Sequence, residues 1–156
     1  MLIRFFFALI LALAMASPAL AFGGGGGSSE RSSANTDYRN ALKAIEAEDY
    51  ARASGLLEKV VAKEPRNADA WNNLGYSERK QDRFEAALAA YQKALAIKPR
   101  HRGANEYLGE LYLQMGNLPL AREQLKRLKS LCPRGCEEAD ELAEAVRAYE
   151  KAHPGS

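Results

Sequence analysis

The feature that most constrains this chain is a period. Over Ala68–His101 it reads as two short amphipathic helices joined by a turn. Trp71, Leu74 and Gly75 share a face of the first helix, Ala87, Tyr91 and Ala94 share a face of the second, and Pro99 stops it. Shifting this block by 34 residues in either direction finds it again. In Arg102–Gly135, Leu108 and Gly109 fall under Leu74 and Gly75, while Ala121, Leu125, Leu128 and Pro133 fall under Ala87, Tyr91, Ala94 and Pro99. Here Asn105 replaces Trp71, Tyr112 replaces Glu78, and Gly116-Asn117 marks the turn. Pro119 lies in the first turn of the second helix, where its missing N–H is harmless. In Ala34–Asn67 the second helix keeps the register through Ala53, Leu57, Val60 and Pro65. Its first helix is rotated: Asp37 and Asn40 stand where the central copy has Trp71 and Leu74, and the apolar stripe runs Tyr38, Ala41, Leu42, Ile45. An outermost repeat lacks a neighbour on one side and tolerates this departure.

The pattern Trp-x2-Leu-Gly, then Ala-x3-aromatic-x2-Ala, then Pro resembles the tetratricopeptide repeat, a helix-turn-helix unit of about 34 residues. The resemblance implies an all-α fold, a right-handed α-solenoid of three repeats over residues 34–67, 68–101 and 102–135, with a capping helix over 136–153. In that last helix Leu142, Val146 and Tyr149 form the apolar stripe, and Glu137, Glu138, Glu141 and Glu144 form an acidic outer side. Gly75, Gly109, Ala87 and Ala121 are expected where the two helices of one repeat meet, with Trp71, Tyr91, Leu74, Leu108, Leu125 and Leu128 filling the space between repeats.

In this family the first helix of each repeat lines a concave surface that accepts an extended peptide or a partner helix. The resemblance therefore implies an interaction scaffold with a protein partner. The groove positions fall at Asp69, Asn72, Asn73, Tyr76, Arg79 and Lys80, then at Gly103, Glu106, Tyr107, Glu110, Leu113 and Gln114. In the first repeat they fall at Tyr38, Arg39 and Leu42, although the rotated stripe leaves Tyr38 and Leu42 open to either core or groove. The candidate site is Asn72, Asn73, Tyr76, Arg79, Glu106, Tyr107 and Glu110. The asparagines suit a peptide backbone, and the tyrosines suit anchoring. Arg79 and Lys80 face Glu106 and Glu110 across one repeat step, so part of this charge is expected to pair internally. One subclass of the family clamps a C-terminal carboxylate with Lys, Asn and Arg. The matching positions here are Tyr38, Leu42, Asn73, Gly103 and Tyr107, and only Asn73 agrees.

Before the repeats, Arg4, the apolar run Phe5–Met15 and the small-x-small triplet Ala19-Leu20-Ala21 read as a signal peptide cleaved after Ala21. The apolar run is shorter than the ~20 residues of a spanning helix. The expectation is a periplasmic or secreted protein with an envelope partner and no stable membrane insertion after cleavage. Residues 22–35, with five consecutive glycines and then serines, read as a flexible tether. In an exported chain Cys132 and Cys136 are expected to form a disulfide. The alternative is a thiol-disulfide or metal-handling protein using the same pair. Against it, the spacing is wider than CxxC, and zinc would need two more ligands while His101 and His153 lie far apart in sequence. With 22 Lys and Arg against 20 Asp and Glu, no basic stripe for nucleic acid is expected. No catalytic constellation can be placed, and no cofactor is implied.

Overall fold

The computed structural model describes residues 26–154. The expected signal peptide over residues 1–21 lies outside them. The described residues form seven helices: α1 (Gly26–Glu46), α2 (Tyr50–Lys63), α3 (Ala68–Arg79), α4 (Phe84–Ile97), α5 (Arg102–Gln114), α6 (Leu118–Leu131) and α7 (Glu137–Ala152). No strand occurs among the described residues. The chain is an α-solenoid of stacked helix pairs.

The period of the sequence becomes a period of structure. The second helices begin at Tyr50, Phe84 and Leu118, 34 residues apart. Just before each, the chain turns through a left-handed residue at the same repeat position: Glu48 (φ 57°), Asp82 (φ 58°) and Gly116 (φ 75°). Only the third repeat places glycine there, where a side chain costs nothing because there is none. Caps follow the same register. Asp49 and Asn117 accept the N–H of Arg52 and Leu120 at the starts of α2 and α6. Arg83, at the equivalent position of α4, caps nothing and instead reaches the buried Glu78 carboxylate at 3.4 Å. At the start of α5, His101 Nδ1 accepts the Ala104 N–H. The neutral ring therefore carries its proton on Nε2, 2.9 Å from Asp69 Oδ1. Burial lowers the His101 pKa, and Asp69 partly opposes that shift.

Three expectations need correction. The first is the tether: residues 26–35 are helical, because α1 starts at Gly26. Tertiary contacts carry the helix upstream, since Ala34 is fully buried and Lys63 Nζ in α2 bonds Ser33 Oγ at 3.0 Å and Asp37 Oδ2 at 3.2 Å. The second concerns Gly109. Gly75 lies at the seam inside its own repeat, where an added Cβ would stand 2.7 Å from ring carbons of the fully buried Tyr91. At Gly109 the same test meets Leu142 Cδ2 at 2.5 Å, so this glycine admits α7 rather than α6. The third follows from it. α7 packs on α5 as well as on α6, as the first helix of a further repeat would, and Leu74, Leu108 and Leu142 are successive members of one 34-residue series. It covers the last repeat and also extends the inner layer formed by α1, α3 and α5.

The asparagine that replaces tryptophan in the core has a partner for its amide N–H. Asn105, fully buried where the central repeat has tryptophan, donates to the His101 carbonyl at 2.7 Å. Trp71 is half-buried and donates from Nε1 to the Pro65 carbonyl at 3.0 Å. Tyr38 divides its roles: its ring packs on the first core cluster and its hydroxyl accepts from Asn73 Nδ2 at 3.0 Å. Leu42 is half-buried. Cys132 caps the end of α6 and Cys136 the start of α7, with their Cα atoms 5.8 Å apart and their sulfurs bonded. Gly135, at φ 90°, lets the chain reverse between them. Among the described residues no helix is long and apolar enough to cross a membrane.

Candidate functional site: the inner face of α3, α5 and α7

On the inner face five of the seven candidate residues meet. Tyr76 and Arg79 from α3 and Glu106, Tyr107 and Glu110 from α5 line one open cavity of about 480 Å³, closed on its far side by Glu141, Glu144 and Ala145 of α7. Helical spacing explains the selection. Tyr76 and Arg79 are three residues apart, as are Tyr107 and Glu110, and Glu141 and Glu144, so each pair shares a helix face.

Tyrosines form the spine of this surface. The Tyr76 and Tyr107 rings lie 5.2 Å apart between centroids, with Tyr50 on one flank at 6.0 Å from Tyr76 and Tyr91 on the other at 6.3 Å from Tyr107. The Arg79 guanidinium stands 5.5 Å from the Tyr76 ring and 5.7 Å from the Tyr107 ring, within reach of a cation–π attraction. It also pairs with Glu110 Oε2 at 2.7 Å. Desolvation raises the Tyr76 pKa and, with the Glu106 charge adding to it, pushes Tyr107 up to about 12, so both rings stay neutral donors near neutral pH.

The carboxyls are unevenly treated. Glu110, Glu141 and Glu144 reach solvent, whereas Glu106 is only 3% exposed. Burial, with a hydrogen bond to Glu141 and the nearby charges of Glu110, Glu141 and Glu138, pushes Glu106 up to about 9. The neutral, protonated acid is therefore the favoured form at neutral pH. The expected pairing between repeats is half realised: Arg79 takes Glu110, but Lys80 turns away, 5.4 Å from the Tyr50 ring.

Four sequence expectations are displaced. Asn72 is buried at 7% exposure beneath the first turn of α5, with its amide beside Gly103, so it is withdrawn from the groove surface. Asn73 lies at the edge and already holds Tyr38. Leu113, read as a groove position, is buried in the core cluster formed with α6 and α7. Glu141 and Glu144, read as outer solubilising charge, stand in the groove. The signal for them was the period itself, since Tyr107 plus 34 is Glu141 and Glu110 plus 34 is Glu144. The cysteine pair sits at the α6–α7 corner and lines none of this cavity. Among the described residues no group of three or more His, Cys, Asp and Glu side chains is placed to hold a metal ion.

Stacked helix pairs with an inner groove define a helical repeat scaffold. Two family models, both described as tetratricopeptide repeat, match residues 38–101 and 78–131, and the chain belongs to that family. It is similar to Protein FlbA of Caulobacter vibrioides, 34% identical over 107 residues that make up 69% of this chain and 18% of FlbA. The chain thus spans less than a fifth of that relative. Among solved structures, the TPR2B domain of yeast Sti1 in its pHsp70 complex superposes with a TM-score of 0.72 at 15% identity, covering 78% of this chain and 99% of that one. The first TPR of Spaghetti (RPAP3), bound to the HSP90 peptide SRMEEVD, gives 0.67 at 20% identity, covering 75% and 93%. These two share the fold.

Proposed function

We propose that this protein is an exported adaptor that binds a segment of another protein in the groove over α3, α5 and α7. The observation carrying the reading is the cavity that gathers Tyr76, Arg79, Glu106, Tyr107 and Glu110 with Glu141 and Glu144. A helix stack needs none of these to hold its pairs together, whereas neighbouring tyrosines with polar groups around them suit a bound chain. Sti1 and RPAP3, which share the fold, are described in complexes with pHsp70 and with a peptide. Export rests on Arg4, the apolar run and Ala19-Leu20-Ala21, and the bonded cysteines suit an oxidising compartment. That compartment also sets the partner class, a protein of the envelope.

The test is cross-linking capture from the envelope fraction, followed by affinity measurements on the captured protein. Tyr107→Ala should weaken binding by 1 kcal/mol or more, on the order of a hot spot, and Gln92→Ala on the outer face should not. The reverse pattern would remove the groove from the account. N-terminal sequencing of the exported protein tests the compartment: Phe22 is expected first, and a chain still starting at Met1 in the membrane fraction would contradict export of a soluble form.

A further inference from the structure

The groove cavity is unbalanced in charge, and the imbalance has a chemical sign. Its lining carries four carboxyls, Glu106, Glu110, Glu141 and Glu144, against one base, Arg79. That base is already committed to Glu110 at 2.7 Å. Glu141 and Glu144 alone would be ordinary solvated charge. Glu106 is not: it is 3% exposed, it borders the cavity, and among the described residues no basic side chain pairs with it. The groups that crowd it are the carboxyls of Glu141, Glu110 and Glu138. Two of these already have arginine partners, Glu110 with Arg79 and Glu138 with Arg102 at 3.2 Å, which leaves Glu106 and Glu141 without one among the described residues. As a carboxylate, Glu106 is unfavourable there unless a further cation joins it. The walls suit one, because the faces of Tyr76 and Tyr107 already attract the Arg79 guanidinium.

We propose that this cavity recognises a basic side chain, lysine or arginine, of the protein segment that lies in the groove. The inference rests on the groove reading and adds the chemistry of its ligand. An alkyl stem would lie along the Tyr76 and Tyr107 rings, and the charged end would meet Glu141, Glu144 and Glu106. The preference is opposite in sign to that of a groove built for an acidic peptide such as SRMEEVD, whose two glutamates and aspartate would be repelled here. Glu106 then has a second consequence. An entering cation favours its carboxylate over the neutral acid, so binding near neutral pH releases a proton. The charged and titratable groups around it are Arg79 and Tyr76 on α3, Tyr107 and Glu110 on α5, and Glu141, Glu144 and Glu138 on α7, the last of them held by Arg102 of α5 at 3.2 Å.

The experiment is selection of a displayed library of random twelve-residue peptides on the purified full chain, with Tyr107→Ala as the filter for groove dependence. Groove-dependent peptides should be enriched in lysine or arginine at one position. For a synthetic peptide of that kind, acetylating the lysine or replacing the arginine with citrulline should weaken binding roughly tenfold. Glu141→Gln with Glu144→Gln, both on an exposed helix surface, should do the same without loss of helicity. Calorimetry in buffers of different ionisation enthalpy should register the released proton. Groove-dependent peptides without basic enrichment, or full affinity in the double variant, would overturn the inference and leave the groove reading standing. Recovery of no groove-dependent peptide would overturn both.

Discussion

The seam between α3 and α4 and the groove between α3 and α7 are built from adjacent faces of one helix, yet they follow opposite rules. At the seam, Gly75 meets the fully buried ring of Tyr91, and Ala87 is buried beside it. The contact is between a glycine and the face of an aromatic ring, and the close approach is what the glycine supplies. On the groove side, Arg79 and Glu106 are buried at 8% and 3% exposure, and only Arg79 has a counter-ion. Packing alone would favour apolar residues of similar volume at both positions. The seam is thus fitted for stability, and the groove departs from that fit where a ligand would complete it. Such local departures are expected at functional surfaces.

The comparison breaks most visibly at the seam. Gly75→Leu should destabilise the fold by about 1–3 kcal/mol or more, read from the urea midpoint, because a rigid buried ring must move. Gly109→Ala tests the same idea in milder form. Its nearest obstacle is the tip of Leu142, which can rotate away, so the loss should be smaller than for Gly75→Ala. Equal losses would mean that the two seams are not distinguished as described.

In the groove the effect should reverse. With its pKa raised from 4.5 to about 9, folded Glu106 holds a proton that the unfolded chain has already released across that window. Stability from this group therefore falls as pH rises from about 4.5 to about 9. Glu106→Gln removes the penalty. Its melting temperature should match wild type near pH 4 and exceed it by several degrees near pH 8.5, on the order of 1–2 kcal/mol. A variant less stable than wild type at pH 8.5 would show that the carboxyl is structurally required.

Smaller effects test the scaffold common to both regions. Asp82→Gly should stabilise by about 0.5–1 kcal/mol by relieving a left-handed residue, and Gly116→Ala should destabilise by a similar amount. Glu144→Gln should leave the melting temperature nearly unchanged, within about 0.5 kcal/mol, while altering peptide affinity. Together, Glu106→Gln and Glu144→Gln would separate a groove kept for binding from one that merely folds.

The helix pairs and the seam around Gly75 and Tyr91 were legible in the sequence, because close packing at fixed spacing leaves a period that survives substitution. Trp71 could give way to Asn105 and Glu78 to Tyr112 without hiding it. What the period did not reveal depended on contacts across several helices. The part of α1 around Ser33 and Asp37 is held by Lys63 reaching back from α2. The withdrawal of Asn72 depends on α5 closing over it beside Gly103. Glu141 and Glu144 were read as solvated charge because no repeat was counted beyond Gly135, although Leu142 continues the leucine series. The burial of Glu106 leaves no trace in a pattern where glutamate ordinarily marks a wet face.

The central claim is that the face shared by α3, α5 and α7 is where a partner lies. The most direct measurement is the amide spectrum of 15N-labelled protein titrated with a groove-selected peptide containing a basic residue. Shifts should concentrate at Tyr76, Arg79, Tyr107, Glu110, Glu141 and Glu144 and leave Gln92, Lys93 and Arg127 unmoved. Shifts gathered instead along α4 and α6, with Tyr76 and Tyr107 silent, would contradict it.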